Sequence, residues 1–191
     1  MRVIGVAGDI GSGKDEVLKY LRAKYGVPYI ATGDIVRQMA EREDMEPTRE
    51  NLQSISQRCF QQWGKGCFAR MAAEEMVSRG WQVAGISGIR SPDDVEIMRQ
   101  AFGKDFVLVR VDVTDPVTRF ERMRLRSEER DPVTFEQFLA QDKKERQVFS
   151  LDKTGSMADY AVNNDYSLQD LHRQVDELVS AKLLLRSPGA A

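Results

Sequence analysis

The chain has 191 residues, of which 41% are hydrophobic and 30% are charged, a composition typical of one globular domain with a sizeable core. Its 28 lysines and arginines are balanced by 30 aspartates and glutamates, which leaves a formal charge of -2. This balance argues against a broad nucleic-acid-binding surface, because such surfaces carry a basic excess.

Short apolar runs alternate with longer amphipathic segments along the chain. The apolar runs predict strands at 2–7, 27–31, 81–86, 106–113 and 161–163. The amphipathic segments predict helices at 15–25, 32–43, 49–62, 68–78, 92–102, from 115 to a break at 131, at 134–149 and at 167–184. A polar loop is expected before the last strand, and a frayed tail at 186–191. This alternation predicts an α/β fold of three layers, with helices on both faces of a parallel five-stranded sheet.

The segment Gly8-Asp9-Ile10-Gly11-Ser12-Gly13-Lys14 fits the phosphate-loop pattern G-x-x-x-x-G-K. Glycines let backbone N–H groups point inward around a phosphate, and the lysine supplies charge for the β- and γ-oxygens. An apolar strand precedes the segment and an amphipathic helix follows it, and the positive end of that helix favours an anion. The loop, together with Asp15 and Glu16, therefore predicts a binding site for ATP.

Asp15 is the one departure from the phosphate-loop pattern, because Ser or Thr usually stands there and its hydroxyl ligates Mg²⁺. A carboxylate can take that role directly or through water, since Mg²⁺ prefers oxygen ligands. Alternatively, Asp15 caps the helix and Mg²⁺ is held elsewhere. We expect Mg²⁺ as a cofactor, with Asp15 and Asp34 as its candidate ligands.

A second polar set follows the neighbouring strands, and active sites of open parallel sheets lie at the carboxyl ends of strands. Thr32 and Gly33 are predicted to bind an acceptor, and Arg37, one turn into the helix, to clamp its phosphate. Arg90 follows the third strand and is predicted to reach the same phosphate. Asp34 is the carboxylate best placed to organise the acceptor or Mg²⁺-bound water. Alternatively, Thr32 only caps its helix and both arginines are solvated.

An arginine-rich helix follows the fourth strand, and Arg119, Arg122 and Arg126 share one face of it. Mobile arginines that close over a migrating phosphoryl group stabilise its charge and exclude water. The alternative is a solvated helix whose arginines pair with neighbouring glutamates. The residues predicted to take part in transfer are Lys14, Asp34, Arg90, Arg122 and Arg126.

Together these segments resemble the P-loop nucleoside monophosphate kinase family. The run from Thr32 to Arg37 is similar to the Ser-Thr-Gly-Asp-Met-Leu-Arg stretch of adenylate kinases, whose Thr and Arg hold the acceptor monophosphate. Gly88-Ile89-Arg90 resembles their Asp-Gly-Phe-Pro-Arg segment, whose Arg touches the same phosphate. Residues 157–168 look like the end of dephospho-CoA kinases, where the loop lies near the donor adenine, which implies that Asn163 contacts the nucleotide.

The resemblance also exposes a departure at Ser87, which stands where adenylate kinases carry an Asp that helps to place Mg²⁺. Our hypothesis is that Asp15 compensates. The whole pattern most resembles an archaeal-type group of dephospho-CoA-kinase-like and nucleotide-kinase-like proteins. It implies one P-loop kinase domain over 1–191, with a helical acceptor-binding region at about 33–64 and a small helical lid at about 119–146.

The predicted function is ATP-dependent phosphoryl transfer to a nucleoside monophosphate or a related small nucleotide-like metabolite. The alternatives are a regulatory ATPase without transfer activity and a dephospho-CoA-type or nucleic-acid kinase.

The only histidine, His172, is far from Cys59 and Cys67, so we expect reduced cysteines in or near helices and no zinc site. No signal peptide precedes the first strand, and no segment approaches the roughly 18 apolar residues of a membrane span, so a cytoplasmic location is expected. For the oligomeric state, both a monomer and a homodimer are compatible with the sequence.

Overall fold

A computed structural model describes residues 1–126 and 132–183, leaving out the side chains at positions 49, 126, 182 and 183. The strands are β1 (Arg2–Ala7), β2 (Tyr29–Ala31), β3 (Val83–Ser87), β4 (Phe106–Asp112) and β5 (Tyr160–Asn163). The helices are α1 (Lys14–Tyr25), α2 (Thr32–Arg42), α3 (Arg49–Trp63), α4 (Cys67–Ser78), α5 (Pro92–Phe102), α6 (Pro116–Arg126), α7 (Phe135–Phe149), α8 (Leu151–Ser156) and α9 (Leu168–Leu178). The predicted break at 131 and the predicted tail at 186–191 lie outside the described residues.

The five strands form one sheet in the order β2-β3-β1-β4-β5, and all neighbouring pairs are parallel. The central strand β1 is fully buried over most of its length, as its apolar run predicts. From β1 the chain first builds one side of the sheet and then crosses to the other. The strand order therefore reverses at β1, and in open α/β sheets the crevice at such a reversal is where ligands bind.

Two hydrophobic clusters lie on the two faces of this sheet, because successive side chains of a strand point to opposite sides. Val3 packs into one cluster with residues of α2, α3, α4 and α5. Ile4 packs into the other with residues of α1 and α9. The predicted three-layer α/β fold is confirmed. A third cluster, made by Phe120, Met123 and Phe138, joins α6 to α7 and also contacts Ile10 of the phosphate loop.

The segment 151–156, which we predicted to be a polar loop, is instead the short helix α8. Ser150 adopts a left-handed conformation with φ 54°, which ends α7 and lets the chain turn into α8. Thr154 of α8 is buried and donates its hydroxyl to the Arg90 carbonyl at 2.9 Å. Tertiary contact therefore stabilises a helix that its own sequence does not indicate.

The remaining predicted elements are found with small shifts at their ends. The second strand begins at Tyr29 rather than at 27, since Pro28 has no N–H for a ladder. The last helix continues past Leu178 as a π-helical turn over Val179–Leu183. Cys59 and Cys67 are buried free thiols in α3 and α4, as expected. Within the described ranges, no helix is long and apolar enough to cross a membrane.

Candidate functional site

The phosphate loop follows β1 at the carboxyl edge of the sheet, as predicted. Gly11 and Gly13 have φ values of 77° and 83°, which would strain a residue with a side chain. Helix α1 starts at Lys14, and no side chain among the described residues caps it. Its first backbone N–H groups and its positive dipole end therefore face the loop. Ser12 Oγ is buried there without a hydrogen-bond partner in the described part of the chain, and this arrangement suits a phosphate.

The loop is held from outside by α6 and by the turn that follows β5. A Cβ atom at Gly11 would collide with the Arg119 carbonyl, and one at Gly13 with the amide of Asn164. Asn164 is 2% exposed and donates from Nδ2 to the Ser12 carbonyl at 2.8 Å. These glycines are therefore required by close packing as well as by backbone conformation.

Asn163, the residue we expected to contact the nucleotide, has other partners. Its side chain donates to Asp165 at 2.7 Å, and its backbone N–H donates to Gln174 at 2.9 Å. Asp165 also accepts from the Thr114 backbone N–H at 2.6 Å, which joins the turns that follow β4 and β5. Asn164, and not Asn163, is thus the residue that supports the loop, and nucleotide contact by Asn163 stays a prediction. The sequence could have indicated this role for Asn164, because Asn164 directly follows the last strand at the edge of the sheet where the loop lies.

Arg119 is a buried residue of α6 and not a solvent-facing one. It is 4% exposed and forms two hydrogen bonds to the Asp142 carboxylate of α7, at 2.6 and 3.0 Å. It also donates to the Ile10 carbonyl of the phosphate loop at 3.1 Å. Burial alone would raise the pKa of Asp142, but the hydrogen bonds and charges of Arg119 and Arg146 together outweigh it and lower that pKa. Arg119 therefore fastens the base of the predicted lid to the loop.

Arg146 of α7 is a second connection to the loop, which the sequence analysis missed. It pairs with Asp9 of the phosphate loop, with Asp142 at 3.3 Å and with Asp152 at 2.8 Å. Burial raises the pKa of Asp9, and the Arg146 guanidinium opposes that rise. A carboxylate beside a triphosphate would repel it, so the charge of Arg146 offsets an unfavourable residue in the loop. The i, i+4 spacing of Asp142 and Arg146 on α7 was the available signal.

The other predicted lid arginines lie further along α6. Arg122 is half-buried and donates to the Tyr166 carbonyl at 3.5 Å, which places it beside the turn that follows β5. Its Nη1 is buried without a hydrogen-bond partner in the described residues. Arg126 ends α6, and its side chain lies outside the described residues. Arg122 therefore lies on the side of the loop where a donor nucleotide was expected, and its catalytic role stays a prediction.

The predicted acceptor side forms where β2 and β3 end. Helix α2 begins at Thr32 itself, and the residue at its N-cap is Ala31. Thr32 does not cap the helix, since its hydroxyl donates to the Gly88 carbonyl at 3.4 Å. Gly88 has φ 89°, and a Cβ there would collide with the Thr32 hydroxyl. The two strand ends predicted to carry the acceptor site therefore touch each other.

Arg37 lies one turn into α2 and donates from Nε to the Asp34 carboxylate at 3.1 Å. Its guanidinium folds back over Gly33, at van der Waals distance from where a Cβ atom would stand. Both partners are about half exposed, so the pair can open at a small cost in free energy. A groove of about 430 Å³ opens beside them. It is lined by Asp34, Arg37, Gln38, Glu41, Met45 and Pro47.

Arg90 is held by its backbone, which contacts two helices. Its N–H donates to Asp94 of α5 at 3.0 Å, and its carbonyl accepts from Thr154 of α8 at 2.9 Å. The exposed guanidinium lies over the Phe149 ring of α7, 5.5 Å from its centre. Arg90 is not among the residues that line the groove beside Arg37. Its contact with an acceptor phosphate stays a prediction.

Asp15 follows the loop lysine, and its carboxylate accepts a hydrogen bond from the hydroxyl of Ser87 at the end of β3. This bond crosses from α1 to the sheet, whereas a helix-capping role would use the backbone of α1. The neighbouring acid Glu16 pairs with Lys19 on the surface at 2.7 Å. In the described part of the chain, no three His, Cys, Asp or Glu side chains form a metal site by themselves. A single carboxylate such as that of Asp15 is still compatible with Mg²⁺, because in kinases this ion is held by one or two carboxylates together with substrate phosphates.

A family model described as "AAA domain" matches residues 7–138, which include the phosphate loop and both strand ends of the acceptor side. A UPF0200 protein of Thermococcus onnurineus is 37% identical over 180 residues, which is 93% of this chain and 96% of the relative. A UPF0200 protein of Pyrococcus horikoshii is 33% identical over 188 residues, 97% of this chain and 100% of the relative.

Two solved kinase structures share the fold of this chain. A shikimate kinase from Bacteroides thetaiotaomicron superposes with a TM-score of 0.57 at 20% identity, over 96% of this chain and 98% of that one. A gluconokinase from Sinorhizobium meliloti superposes with a TM-score of 0.59 at 18% identity, over 96% of both chains. At these identities the likeness establishes the P-loop kinase fold and nothing about the acceptor.

Proposed function

The chain belongs to the UPF0200 family of P-loop proteins, and on that premise we propose that it transfers the γ-phosphoryl group of ATP to a small acceptor. The observation that carries this proposal is the second set of polar residues, in which Asp34 and Arg37 follow the carboxyl end of β2 and line a groove. A nucleotide-dependent switch needs the phosphate loop alone and has no use for such a site.

In the proposed reaction, the phosphate loop binds the triphosphate and Lys14 stabilises the charge that develops on the β- and γ-oxygens. Asp15, together with phosphate oxygens, would hold Mg²⁺, and the ion would supply positive charge that offsets the charge of the triphosphate. Arg37 leaves its pair with Asp34 to hold an anionic group of the acceptor. The freed Asp34 carboxylate then faces the acceptor and can accept a proton from an attacking hydroxyl. Arg122 and Arg126 are proposed to close over the migrating group.

The first proposed acceptor class is a nucleoside monophosphate or a related nucleotide-like metabolite. It is supported by the motif from Thr32 to Arg37, which resembles the acceptor-binding stretch of adenylate kinases. A small hydroxy acid is the second class. It is favoured by the charge of the groove, where Asp34 and Glu41 outnumber the single Arg37. Such a groove repels a phosphate dianion more than it repels a monoanionic acid with several hydroxyl groups. The names of the shikimate kinase and the gluconokinase point to the same class for those two proteins.

The proposal predicts acceptor-dependent release of ADP. Purified protein is incubated with Mg-ATP and a panel of nucleoside monophosphates, dephospho-CoA, shikimate and gluconate, and ADP is followed by a coupled assay. One acceptor class should increase ADP release several-fold and should yield a phosphorylated product by mass spectrometry. ADP release that no acceptor changes would instead support a regulatory ATPase.

The acceptor assigned by that panel is expected to lose affinity when Arg37 is replaced by alanine. Removing one charge-assisted hydrogen bond should raise the acceptor KM about tenfold or more, since such bonds contribute roughly 1.5–3 kcal/mol. The affinity for ATP, measured by calorimetry, should stay unchanged. Arg42→Ala, an exposed arginine in the last turn of the same helix, is the matched control and should behave like the wild type. Equal losses for ATP and acceptor would contradict this assignment of the groove.

A further inference from the structure

We propose that the carboxylate and the hydroxyl that hold Mg²⁺ at a phosphate loop have exchanged places in this chain. P-loop proteins generally use a Ser or Thr after the loop lysine and an Asp from a strand end. Here Asp15 follows the lysine, and Ser87 is the last residue of β3. The inference rests on the proposed binding of Mg-ATP and assigns to Ser87 a role in the same site.

Asp15 and Ser87 are distant in the sequence but hydrogen-bonded to each other in the structure. The sheet register sets Ser87 opposite Val6, so the end of β3 lies beside the start of the phosphate loop. Ser87 is 4% exposed, and its hydroxyl donates to Oδ1 of Asp15 across 72 positions of the chain. A buried hydroxyl that reaches the first turn of α1 is therefore hydrogen-bonded to the very carboxylate that replaces the usual Ser or Thr.

The exchange conserves the chemistry that the cation needs. One carboxylate and one hydroxyl remain at the site, so its charge is the same as in the usual arrangement. Two carboxylates at these positions would lie within hydrogen-bonding distance and repel each other. The new position also suits an acid, because Asp15 lies in the first turn of α1, where the helix dipole stabilises a negative charge. Asp15 would ligate Mg²⁺ together with the phosphate oxygens, and Ser87 would orient the Asp15 carboxylate.

A reciprocal substitution tests the exchange. We compare wild type, Asp15→Ser, Ser87→Asp and the double variant Asp15→Ser/Ser87→Asp. The first readout is the affinity for ATP measured by calorimetry with and without Mg²⁺, and the second is the electron paramagnetic resonance spectrum of Mn²⁺ bound with a non-hydrolysable ATP analogue. Neither readout depends on turnover. Thermal unfolding shows that each variant is folded.

Each single variant is expected to lose about tenfold of the Mg²⁺-dependent gain in ATP affinity, the effect of disturbing one metal-supporting group. The double variant should recover most of that gain and the Mn²⁺ signal, because it restores the usual placement of carboxylate and hydroxyl. Metal-free ATP affinity should rise somewhat in Asp15→Ser and fall somewhat in Ser87→Asp, because each changes one negative charge beside the triphosphate, and it should match the wild type in the double variant. The exchange of Ser167 and Asp170, another hydrogen-bonded serine–aspartate pair at the start of α9, is the matched control and should leave Mg²⁺ dependence unchanged.

Losses that simply add in the double variant would overturn the proposal and leave the bond between Asp15 and Ser87 as a structural contact. A Mg²⁺-dependent gain that survives Asp15→Ser would overturn it as well. Both outcomes differ from failure of the proposed function, in which the wild-type protein would bind Mg-ATP but show no acceptor-dependent release of ADP.

Discussion

Replacing Lys14 with methionine is expected to lower kcat for phosphoryl transfer by about 10²–10³, the usual effect of removing one group that stabilises transition-state charge. Lys14 is the first residue of α1 and follows the two left-handed glycines of the phosphate loop. The start of α1 therefore places the Lys14 backbone directly after the phosphate loop, and we expect its side chain to reach the β- and γ-oxygens of bound ATP. Methionine keeps most of the length of the side chain and removes the charge, so the fold should be preserved.

The effect is measured as kcat with saturating Mg-ATP and the acceptor found by the panel. Lys19→Met is the matched control, because Lys19 lies on the same helix but is exposed and paired with Glu16. It should retain wild-type turnover. A Lys14→Met variant with nearly unchanged kcat would remove the phosphate loop from the proposed mechanism.

Breaking the ion pair between Arg119 and Asp142 is expected to lower the free energy of unfolding by about 3 kcal/mol, near the lower end for a broken buried pair, because the Asp142 carboxylate keeps only its longer contact with Arg146. The two side chains are only 5% and 10% exposed. Arg119→Met preserves much of the side-chain volume while removing the guanidinium. It also removes the hydrogen bond to Ile10, so the affinity for ATP should fall together with stability.

Urea unfolding measures this loss as a lower midpoint at an unchanged m-value. Arg173→Ala, which removes an exposed pair with Glu177, is the control and should cost less than about 1 kcal/mol. A loss as small as that control in Arg119→Met would show that the buried pair contributes little to stability.

The same pair has a pH signature. Because the folded pKa of Asp142 is lowered, its contribution to stability is present above the unfolded pKa and is lost as the pH falls through the folded pKa. The wild type should therefore lose stability on the acid side of about pH 4, the ordinary aspartate range. Arg119→Met should show a weaker acid-side loss.

The local pattern was enough to predict most of the fold. Apolar runs of strand length and helical periodicity identified all five strands, because burial of one side of each element is already encoded at short range. The phosphate loop was found for a related reason. The loop that follows β1 needs glycine wherever its backbone is left-handed, and this need is visible in the local sequence without knowledge of the fold.

Other residues could not be assigned from local patterns. Helical spacing put Arg119 on one face with Arg122, but it could not show that this face meets an acid on a different helix. Helix α8 has a polar sequence and forms because Thr154 is buried against the Arg90 carbonyl. In both cases the deciding contact joins segments that are distant in the chain.

The sequence by itself therefore determined the parallel sheet and the phosphate loop, which both depend on short-range geometry. Only the tertiary structure showed that Asn164 supports the loop, that Arg119 and Arg146 connect helices α6 and α7 to it, and that Ser87 is hydrogen-bonded to Asp15. The physical reason is the same for each of these contacts. Their energy comes from side chains brought together by sheet order and helix packing, and no pattern within one segment records which distant segment will lie beside it.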